Sequence, residues 1–381
     1  MGLSAGKPVD AWHRAQPCRP ADPPAAQARI RTGCGRGLVA GLILAATAAP
    51  AEELRVAAFA AALGRDGPGL MLRDLGRDDA QIDATVAIVA QVDPDILLLT
   101  DVDYDLDGVA LQATADRMGF AHSFALLPNS GMATGLDLDG NGRIGEARDA
   151  QGWGKFSGDG GMGLLSHWPI DADAVQDLST LLWRDVPGAT LPQGPLWSDA
   201  VAAVQRLSTT GHWIVPVLAP GGPVDIMAFS ATPPVFDGPE DRNGLRNRDE
   251  LRLWTQVLEG AFGVAPQDFV VLGNANLDPA DGEGLHDAMQ AFLADPRLTD
   301  PRPASPGGKA AADPDQSGDP ALDTADWPDG APGNLRVDYA LPAATWTVTG
   351  AGVFWPDPAD PDAALAQTAG PHRLVWVDLR R

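Results

Sequence analysis

The sequence predicts an α/β sandwich, and two kinds of pattern indicate it. First, an amphipathic helix is twice followed by a short apolar strand: residues 78–92 precede Asp95–Leu99, and Glu250–Ala261 precedes Phe269–Leu272. Second, other short strands follow one another without a helix between them, as strands in hairpins do. This mixture favours a layered α/β fold over an all-β protein or a helix bundle.

Each predicted element has a local signal. Small and β-branched residues mark Leu54–Phe59 as the first strand, and the continuous apolar run Asp95–Leu99 is typical of a strand buried on both faces. The helix between them has acidic residues in its first turn, which suits the helix dipole. Its apolar residues recur at helical spacing, at Ile82, Val86, Val89 and Val92. The remaining predicted strands are Gly163–Ser166, His212–Leu218, Val224–Phe229, Arg336–Leu341 and Arg373–Leu379.

The chain after residue 51 is predicted to form one domain, residues 52–381. It contains no internal repeat, and its one long stretch without periodicity is residues 301–334. That stretch is rich in Pro, Gly and Asp, so we expect a flexible surface loop rather than a domain boundary.

The first 51 residues have the pattern of an export signal. Basic residues at Arg29, Arg31 and Arg36 precede the apolar run Gly37–Ala48, and a cleavage site of the A-x-A type follows at Ala49–Ala51. The run is too short to span a bilayer comfortably. We therefore predict export to the periplasm or the extracellular space, and no transmembrane segment in the mature chain.

The charge of the chain bears on its partners. The formal net charge is −24, and removal of a leader with a net charge of +4 would deepen it to −28. Binding to nucleic acid relies on Lys and Arg, and only Lys155 and Lys309 remain as lysines after the leader. Nucleic acid is therefore not an expected partner, whereas a small phosphorylated ligand in a local basic or metal-filled cleft is compatible with the charge.

Seven segments, in this order, resemble the endonuclease/exonuclease/phosphatase family. They span most of the chain after the leader, and their order is more specific than any one of them. The segments are Leu54–Ala60, Pro94–Asp101, Gly161–Ile170, Thr232–Gly244, Val271–Pro279, Arg336–Leu341 and His372–Trp376. The resemblance implies a four-layer sandwich of two mostly antiparallel sheets flanked by helices, with the active site on loops at one end.

The chemistry that this resemblance implies is metal-assisted hydrolysis of a phosphoester. An acidic residue after a buried strand holds Mg²⁺ or Mn²⁺, and the metal neutralises charge on the phosphoryl oxygens. An Asp in a Gly-Asp-x-Asn motif activates water, and two His residues contact the phosphate. In this chain the metal ligand corresponds to Asp101. Of the catalytic positions, Asn276, Asp338 and His372 keep the residue of the family pattern, and Asn274 differs from it.

Several positions of the family pattern carry other residues here. Ala60 stands where an Asn is expected, and Ser230, with Ala231 beside it, where the first His is expected. Asn274 replaces the water-activating Asp and cannot accept a proton. Pro371 replaces the Asp that precedes the second His. Because the loss of one acid–base group typically costs about 10²–10⁴ in rate, we expect a degenerate member with little or no hydrolysis. The alternative is an active, divalent-metal-dependent phosphodiesterase or phosphatase.

Substrate contacts are predicted at Arg242, Asn243 and His212. Arg242 and Asn243 lie in the family-like segment beside the expected cleft, and a guanidinium group suits a phosphate or carboxylate. Ion pairing of the arginines along a helix with Asp241, Asp249 and Glu250 is an equally good explanation. His212 belongs to a His-Trp pair similar to a segment beside the cleft in the family.

A second cation site is predicted in the loop that starts at Asp137. Asp137, Asp139 and Asn141 occupy the first, third and fifth positions of a loop like that of an EF-hand, with Gly142 at the sixth. The twelfth position is Arg148, where Glu is preferred, and Asp149 comes one residue later. A Ca²⁺ site and a loop solvated by its own charges are equally good interpretations.

Overall fold

The computed structural model describes residues 53–329 and 332–381. The predicted export signal, residues 1–51, lies outside them. The strands, in chain order, are β1 (Glu53–Ala60), β2 (Ile96–Val102), β3 (His122–Phe124), β4 (Gly161–Ser166), β5 (Gln176–Asp177), β6 (Gly211–Val217), β7 (Val224–Ser230), β8 (Phe269–Asn274), β9 (Asp338–Pro342), β10 (Thr347–Val353) and β11 (Val375–Arg380). The helices are α1 (Leu70–Leu75), α2 (Ala80–Val92), α3 (Val109–Met118), α4 (Asp199–Ala202), α5 (Arg242–Leu258), α6 (His286–Leu293), α7 (Pro306–Ala310) and α8 (Ala363–Ala369).

The strands form two mixed sheets. The order in the first sheet is β10-β11-β1-β2-β4-β3, and the order in the second is β5-β6-β7-β8-β9. β1 and β2 pair in parallel, as do β7 and β8, and the other neighbouring strands pair antiparallel. In register, Ala60 pairs with Thr100 and Ser230 with Asn274, so each parallel pair ends together.

Apolar side chains fill the space between the sheets and beneath the helices. Val56 and Leu98 of the first sheet belong to one buried cluster with Met227 and Val271 of the second. The same cluster includes Trp254 of α5. A separate cluster joins the first sheet to α1, α2, α3 and α8. The fold is therefore the predicted sandwich, with helices outside both sheets.

The helix α2 begins as its sequence predicts. The side chain of Asp79 accepts hydrogen bonds from the backbone N–H groups of Gln81 and Ile82, each at 3.0 Å, and so caps the helix. Asp93, with φ of 53°, adopts the left-handed conformation that ends it.

The helix α5 begins eight residues earlier than predicted, at Arg242 rather than Glu250. Its first two turns bury Gly244, Arg246 and Asn247 instead of apolar side chains. Apolar periodicity cannot reveal a helix whose buried face is polar, and this explains the late predicted start.

The segment 301–334 contains more regular structure than expected of a flexible loop. Ser305 caps the short helix α7, and the backbone N–H of Arg373 donates to the carbonyl of Thr324 at 2.7 Å. The flexibility of this segment stays a prediction. None of the helices in the described residues is long and apolar enough to cross a membrane.

Candidate active site

A cleft of about 980 Å³ opens where the parallel strand pairs end. Side chains from both sheets line it because β1, β2, β7 and β8 all end at this side of the sandwich. Its walls include seven positions that the family resemblance singled out, of which Ala60, Ser230 and Asn274 differ from the family pattern: Asp101, Asn274, Asn276, Arg242, Asn243, Ala60 and Ser230. His372 lines the same cleft, from the loop before β11. The tertiary structure thus brings together residues that lie more than 300 positions apart in the chain.

His372 is held by Asp338. The Nδ1 atom of the imidazole lies 2.7 Å from Oδ2 of Asp338, the first residue of β9, whose side chain is almost fully buried. Burial alone would lower the pKa of His372. The charge of Asp338 and its hydrogen bond, helped by the charge of Asp101, outweigh that effect, and the pKa of His372 is raised. A cationic imidazole is therefore favoured at the wall of the cleft.

Asp101 presents a carboxylate to the cleft. The residue interrupts the ladder between β2 and β4 with a register shift and has φ of 57°, which turns its side chain out of the sheet. Solvent in the cleft reaches the carboxylate, yet protein surrounds it closely enough that desolvation raises its pKa. Among the described residues, no group donates a hydrogen bond to it. Such an unpaired carboxylate suits a divalent cation. Proteins often bind Mg²⁺ through one or two carboxylates, and the ion keeps several water ligands.

Asn274 and Asn276 form a compact polar turn after β8. The backbone N–H of Asn276 donates to Oδ1 of Asn274 at 2.7 Å, and the side-chain amide of Asn276 donates to the carbonyl of Ala231 at 2.8 Å. The amide oxygen of Asn274 is thus already engaged. An amide in this position orients polar groups but takes up no proton from water.

Two further acids beside the cleft were missed by the sequence interpretation. Asp159 lines the cleft, and its carboxylate accepts a hydrogen bond from the backbone N–H of Lys155. Asp103 accepts hydrogen bonds from the backbone N–H groups of Gly160 and Arg65, but burial raises its pKa to about 6. Asp103 was detectable as the second acid in Asp101-Val-Asp103, whereas no pattern distinguished Asp159.

The predicted substrate residues of α5 have different surroundings. Arg242 lines the cleft, and one of its N–H groups donates to the carbonyl of Leu138 at 3.3 Å. Asn243 also lines it, but its side-chain amide donates to the carbonyl of Val235 at 2.6 Å. Arg242 is therefore available as a cation, whereas the Asn243 amide holds a neighbouring loop.

Arg246 is a cleft residue that the substrate prediction did not include. Its side chain is buried, and it donates to four backbone carbonyls, which belong to Gln151, Arg206, Leu207 and Ser208. Burial lowers its pKa to about 10, so it stays charged at neutral pH. One helix residue thus fixes two loops of the cleft wall.

Glu250 completes this buried network one turn further along α5. Its two carboxylate oxygens accept hydrogen bonds from the backbone N–H groups of Thr209 and Thr232, at 2.6 and 2.7 Å, and both threonines line the cleft. Burial raises the pKa of Glu250 to about 7 despite the opposing charge of Arg246. Arg246 and Glu250 therefore hold the backbone of the cleft wall, and their opposite charges attract each other.

The prediction that His212 binds substrate disagrees with its position in the structure. The side chain is fully buried and does not line the cleft. Its Nδ1 atom lies 2.7 Å from Oγ of Ser208 and its Nε2 atom 3.1 Å from the carbonyl oxygen of Glu250. Desolvation lowers its pKa to about 3, so it is a neutral residue of the core.

The loop that starts at Asp137 gathers three carboxylates. One oxygen atom each from Asp137, Asp139 and Asp149 lies within 4.8 Å of the others. The predicted ligand Asn141 lies in the same loop, where its side-chain amide donates to Asp139 and Glu146 and its Oδ1 accepts from the backbone N–H of Arg143. Asp149, one position beyond the expected twelfth, supplies the third carboxylate. The oxygen-only set suits Ca²⁺, and Asp139 also lines the cleft.

Comparisons with known proteins agree with this geometry. The family model described as "Endonuclease/Exonuclease/phosphatase family" matches residues 62–370. No curated protein sequence shows a significant match.

Among solved structures, an endonuclease/exonuclease/phosphatase from Beutenbergia cavernae DSM 12333 is 20% identical with a TM-score of 0.50, over 86% of this chain and 71% of that chain. Sphingomyelinase C from Streptomyces griseocarneus is 14% identical with a TM-score of 0.47, over 86% of this chain and 99% of that chain. At these identities the likenesses concern the fold and not the substrate. The family match covers well over half of the sequence, and the chain therefore belongs to the endonuclease/exonuclease/phosphatase family.

Proposed function

We propose that this protein binds a small phosphorylated ligand in the cleft and hydrolyses it slowly or not at all. The observation that carries the proposal is the environment of Asn274. Its side chain is an uncharged amide whose oxygen already accepts a hydrogen bond from the backbone N–H of Asn276. The position where the family activates water therefore offers no base.

The remaining groups suit binding of a phosphate. His372, with its raised pKa, presents positive charge, and Asp338 fixes its orientation. Arg242 adds a cation on another wall. Asp101 would hold Mg²⁺ or Mn²⁺, which supplies charge neutralisation for the phosphate oxygens when it is bound. The net charge of −24 opposes binding of nucleic acid, so we propose a small ligand.

An active, divalent-metal-dependent phosphodiesterase or phosphatase is the second candidate. The observation that favours it is the intact pair of His372 and Asp338, which persists although Pro371 replaces the neighbouring acid. In this case His372 and the metal ligand Asp101 would retain part of the stabilisation of the transition state.

One experiment separates the two candidates. Binding of inorganic phosphate is measured by calorimetry with Mg²⁺ or Mn²⁺, and turnover of bis- and mono-4-nitrophenyl phosphate is followed with the same protein. The proposal expects binding that is weakened in His372→Ala, with turnover no faster in the wild type than in that variant. Turnover that disappears in His372→Ala would support the active enzyme, and absence of both phosphate binding and turnover would contradict both.

We also propose that the chain is exported and that the mature form begins after Ala51. The basic residues, apolar run and A-x-A site of the first 51 residues support this. Expression in a bacterial host, followed by mass measurement of the protein from the periplasm and the medium, tests it. A full-length mass confined to the cytoplasm would contradict export.

A further inference from the structure

Two aromatic side chains are exposed inside the cleft. The exposed fraction of Trp153 is 59% and that of Phe236 is 78%, and both residues line the cleft together with the partly exposed Leu196. Apolar area exposed to water is unfavourable relative to the same area buried. Three large apolar side chains around one cleft of a strongly charged protein therefore indicate a surface that a ligand covers.

The backbone that carries Trp153 is packed too tightly to move aside. The N–H of Gly131 donates to the carbonyl of Gly152 at 2.9 Å, and the N–H of Gly152 donates to the carbonyl of Asn129 at 3.2 Å. A Cβ atom at Gly152 would collide with the carbonyl of Thr209, and one at Gly154 would lie 2.5 Å from the backbone N of Gly131. The indole is thus presented by a fixed backbone, so a ligand that packs on it orders little of the chain.

One cation approaches this indole without covering it. The Lys155 ammonium lies 6.0 Å from the ring centre of Trp153, at the limit of a cation–π contact, and also pairs with Asp66. More than half of the Trp153 side chain remains exposed. The ring therefore retains free surface for a ligand.

The backbone of Phe236 is held in an unfavourable conformation. Its φ is 69°, in the left-handed region that bulky residues avoid. The chain is anchored on both sides, since Asn243 donates through its amide to Val235 and through its backbone N–H to Asp237. Strain of this kind persists where the surroundings enforce it and is concentrated at ligand sites. Asn243 thus acts by positioning the loop that carries Phe236.

We propose that Trp153 and Phe236 form an aromatic subsite, and that the ligand of the cleft is a phosphoester with a planar aromatic group. This inference rests on the proposed function, because His372, Asp101 and Arg242 receive the phosphate. An aromatic group is favoured over a flexible acyl chain because rigid, flat side chains bind flat rings with little loss of conformational freedom.

The test compares ligands that share a phosphate and differ in the attached group. Binding of inorganic phosphate, methyl phosphate, octyl phosphate and 1-naphthyl phosphate is measured by calorimetry with Mg²⁺. Naphthyl phosphate is expected to bind about tenfold more tightly than methyl phosphate. Trp153→Ala and Phe236→Ala should each remove most of this difference and leave the affinity for inorganic phosphate unchanged. Trp153→Phe should retain much of it, which separates loss of the ring from loss of folding.

A matched control is Leu106→Ala, because Leu106 is exposed but does not line the cleft. It should change none of the affinities. Equal affinity for methyl and naphthyl phosphate would overturn the aromatic subsite and leave the proposed function intact. Preference for octyl over naphthyl phosphate would also overturn it, in favour of an acyl group. If none of the four compounds binds, both the subsite and the proposed function are wrong.

Discussion

The imidazole of His372 is hydrogen-bonded through Nδ1 to Oδ2 of Asp338, at 2.7 Å, across 34 positions of the chain. The carboxylate comes from β9 and the imidazole from the loop before β11. This pairing sets the orientation and the charge of the histidine without the neighbouring acid that Pro371 replaces.

Asp338→Asn should lower the pKa of His372. Because the pKa is raised in the folded protein, the pair contributes stability that is complete below about pH 6.5 and is lost as the pH rises through the raised value. The variant should therefore lose about 1.5–3 kcal/mol of unfolding free energy, mostly below pH 6.5. NMR titration of His372, with His122 as an internal control, checks the pKa, and urea denaturation at pH 5.5 and 8.5 checks the stability. An unchanged His372 titration would contradict the assignment.

Asn274→Asp should increase hydrolysis of bis-4-nitrophenyl phosphate in the presence of Mg²⁺ or Mn²⁺. The new carboxylate can still accept the N–H of Asn276 and can also take a proton from water, so we expect a gain of about 10² or more. The gain should disappear in the double variant with His372→Ala, which shows that the turnover uses this cleft. As a control, Gln290→Glu places a carboxylate on the exposed side of α6 and should have no effect. No gain in the single variant would mean that other replaced positions also prevent the reaction.

The environment of Asp323 predicts that the stability of the protein depends on pH, and this dependence does not involve the cleft. The residue is buried, and no described residue donates to its carboxylate. Desolvation, followed by the charges of Asp278, Asp281 and Asp319, raises its pKa from 3.8 to about 7. The folded state then binds the extra proton between about pH 4 and 7, so this group makes the free energy of unfolding fall as the pH rises through that window.

Asp323→Asn should remove this contribution and stabilise the protein above pH 7, by at most about 4 kcal/mol. Urea denaturation in EDTA at pH 5 and pH 8 measures the difference between wild type and variant. Asp329→Asn, in the same segment but exposed, should leave the pH dependence unchanged. A variant with the pH dependence of the wild type would show that Asp323 titrates normally.

Calcium should stabilise the loop formed by residues 137–149. At 100 times the dissociation constant, a bound ion adds about 2.7 kcal/mol to the free energy of unfolding. The melting temperature should rise with Ca²⁺, and the rise should be smaller with Mg²⁺, because Ca²⁺ accommodates irregular oxygen cages more readily. Asp139→Asn and Asp149→Asn should both abolish the rise, whereas Asp101→Asn should not. If calcium neither changes the melting temperature nor releases heat on titration, this loop is held by its own hydrogen bonds alone.

The sequence by itself determined the sandwich class and most of the strands, because short apolar runs and their order along the chain can be recognised without knowledge of tertiary contacts. The resemblance to the family also predicted that Asp101, Asn274, Asn276 and His372 belong to one site, and all four line the cleft. The same resemblance showed that Asn274 stands where the family pattern has an Asp.

Only the tertiary structure decided which polar residues face the cleft. His212 belongs to a His-Trp pair similar to one in the family but is buried, whereas Asp159 and Trp153 matched no motif and line the cleft. The start of α5 was missed because its buried face is polar and binds backbone carbonyls of distant loops. Local periodicity indicates whether a side chain avoids water. The accessibility of a side chain and its hydrogen-bond partners, however, depend on segments that are far apart in sequence. Those segments become neighbours only when the two sheets pack together.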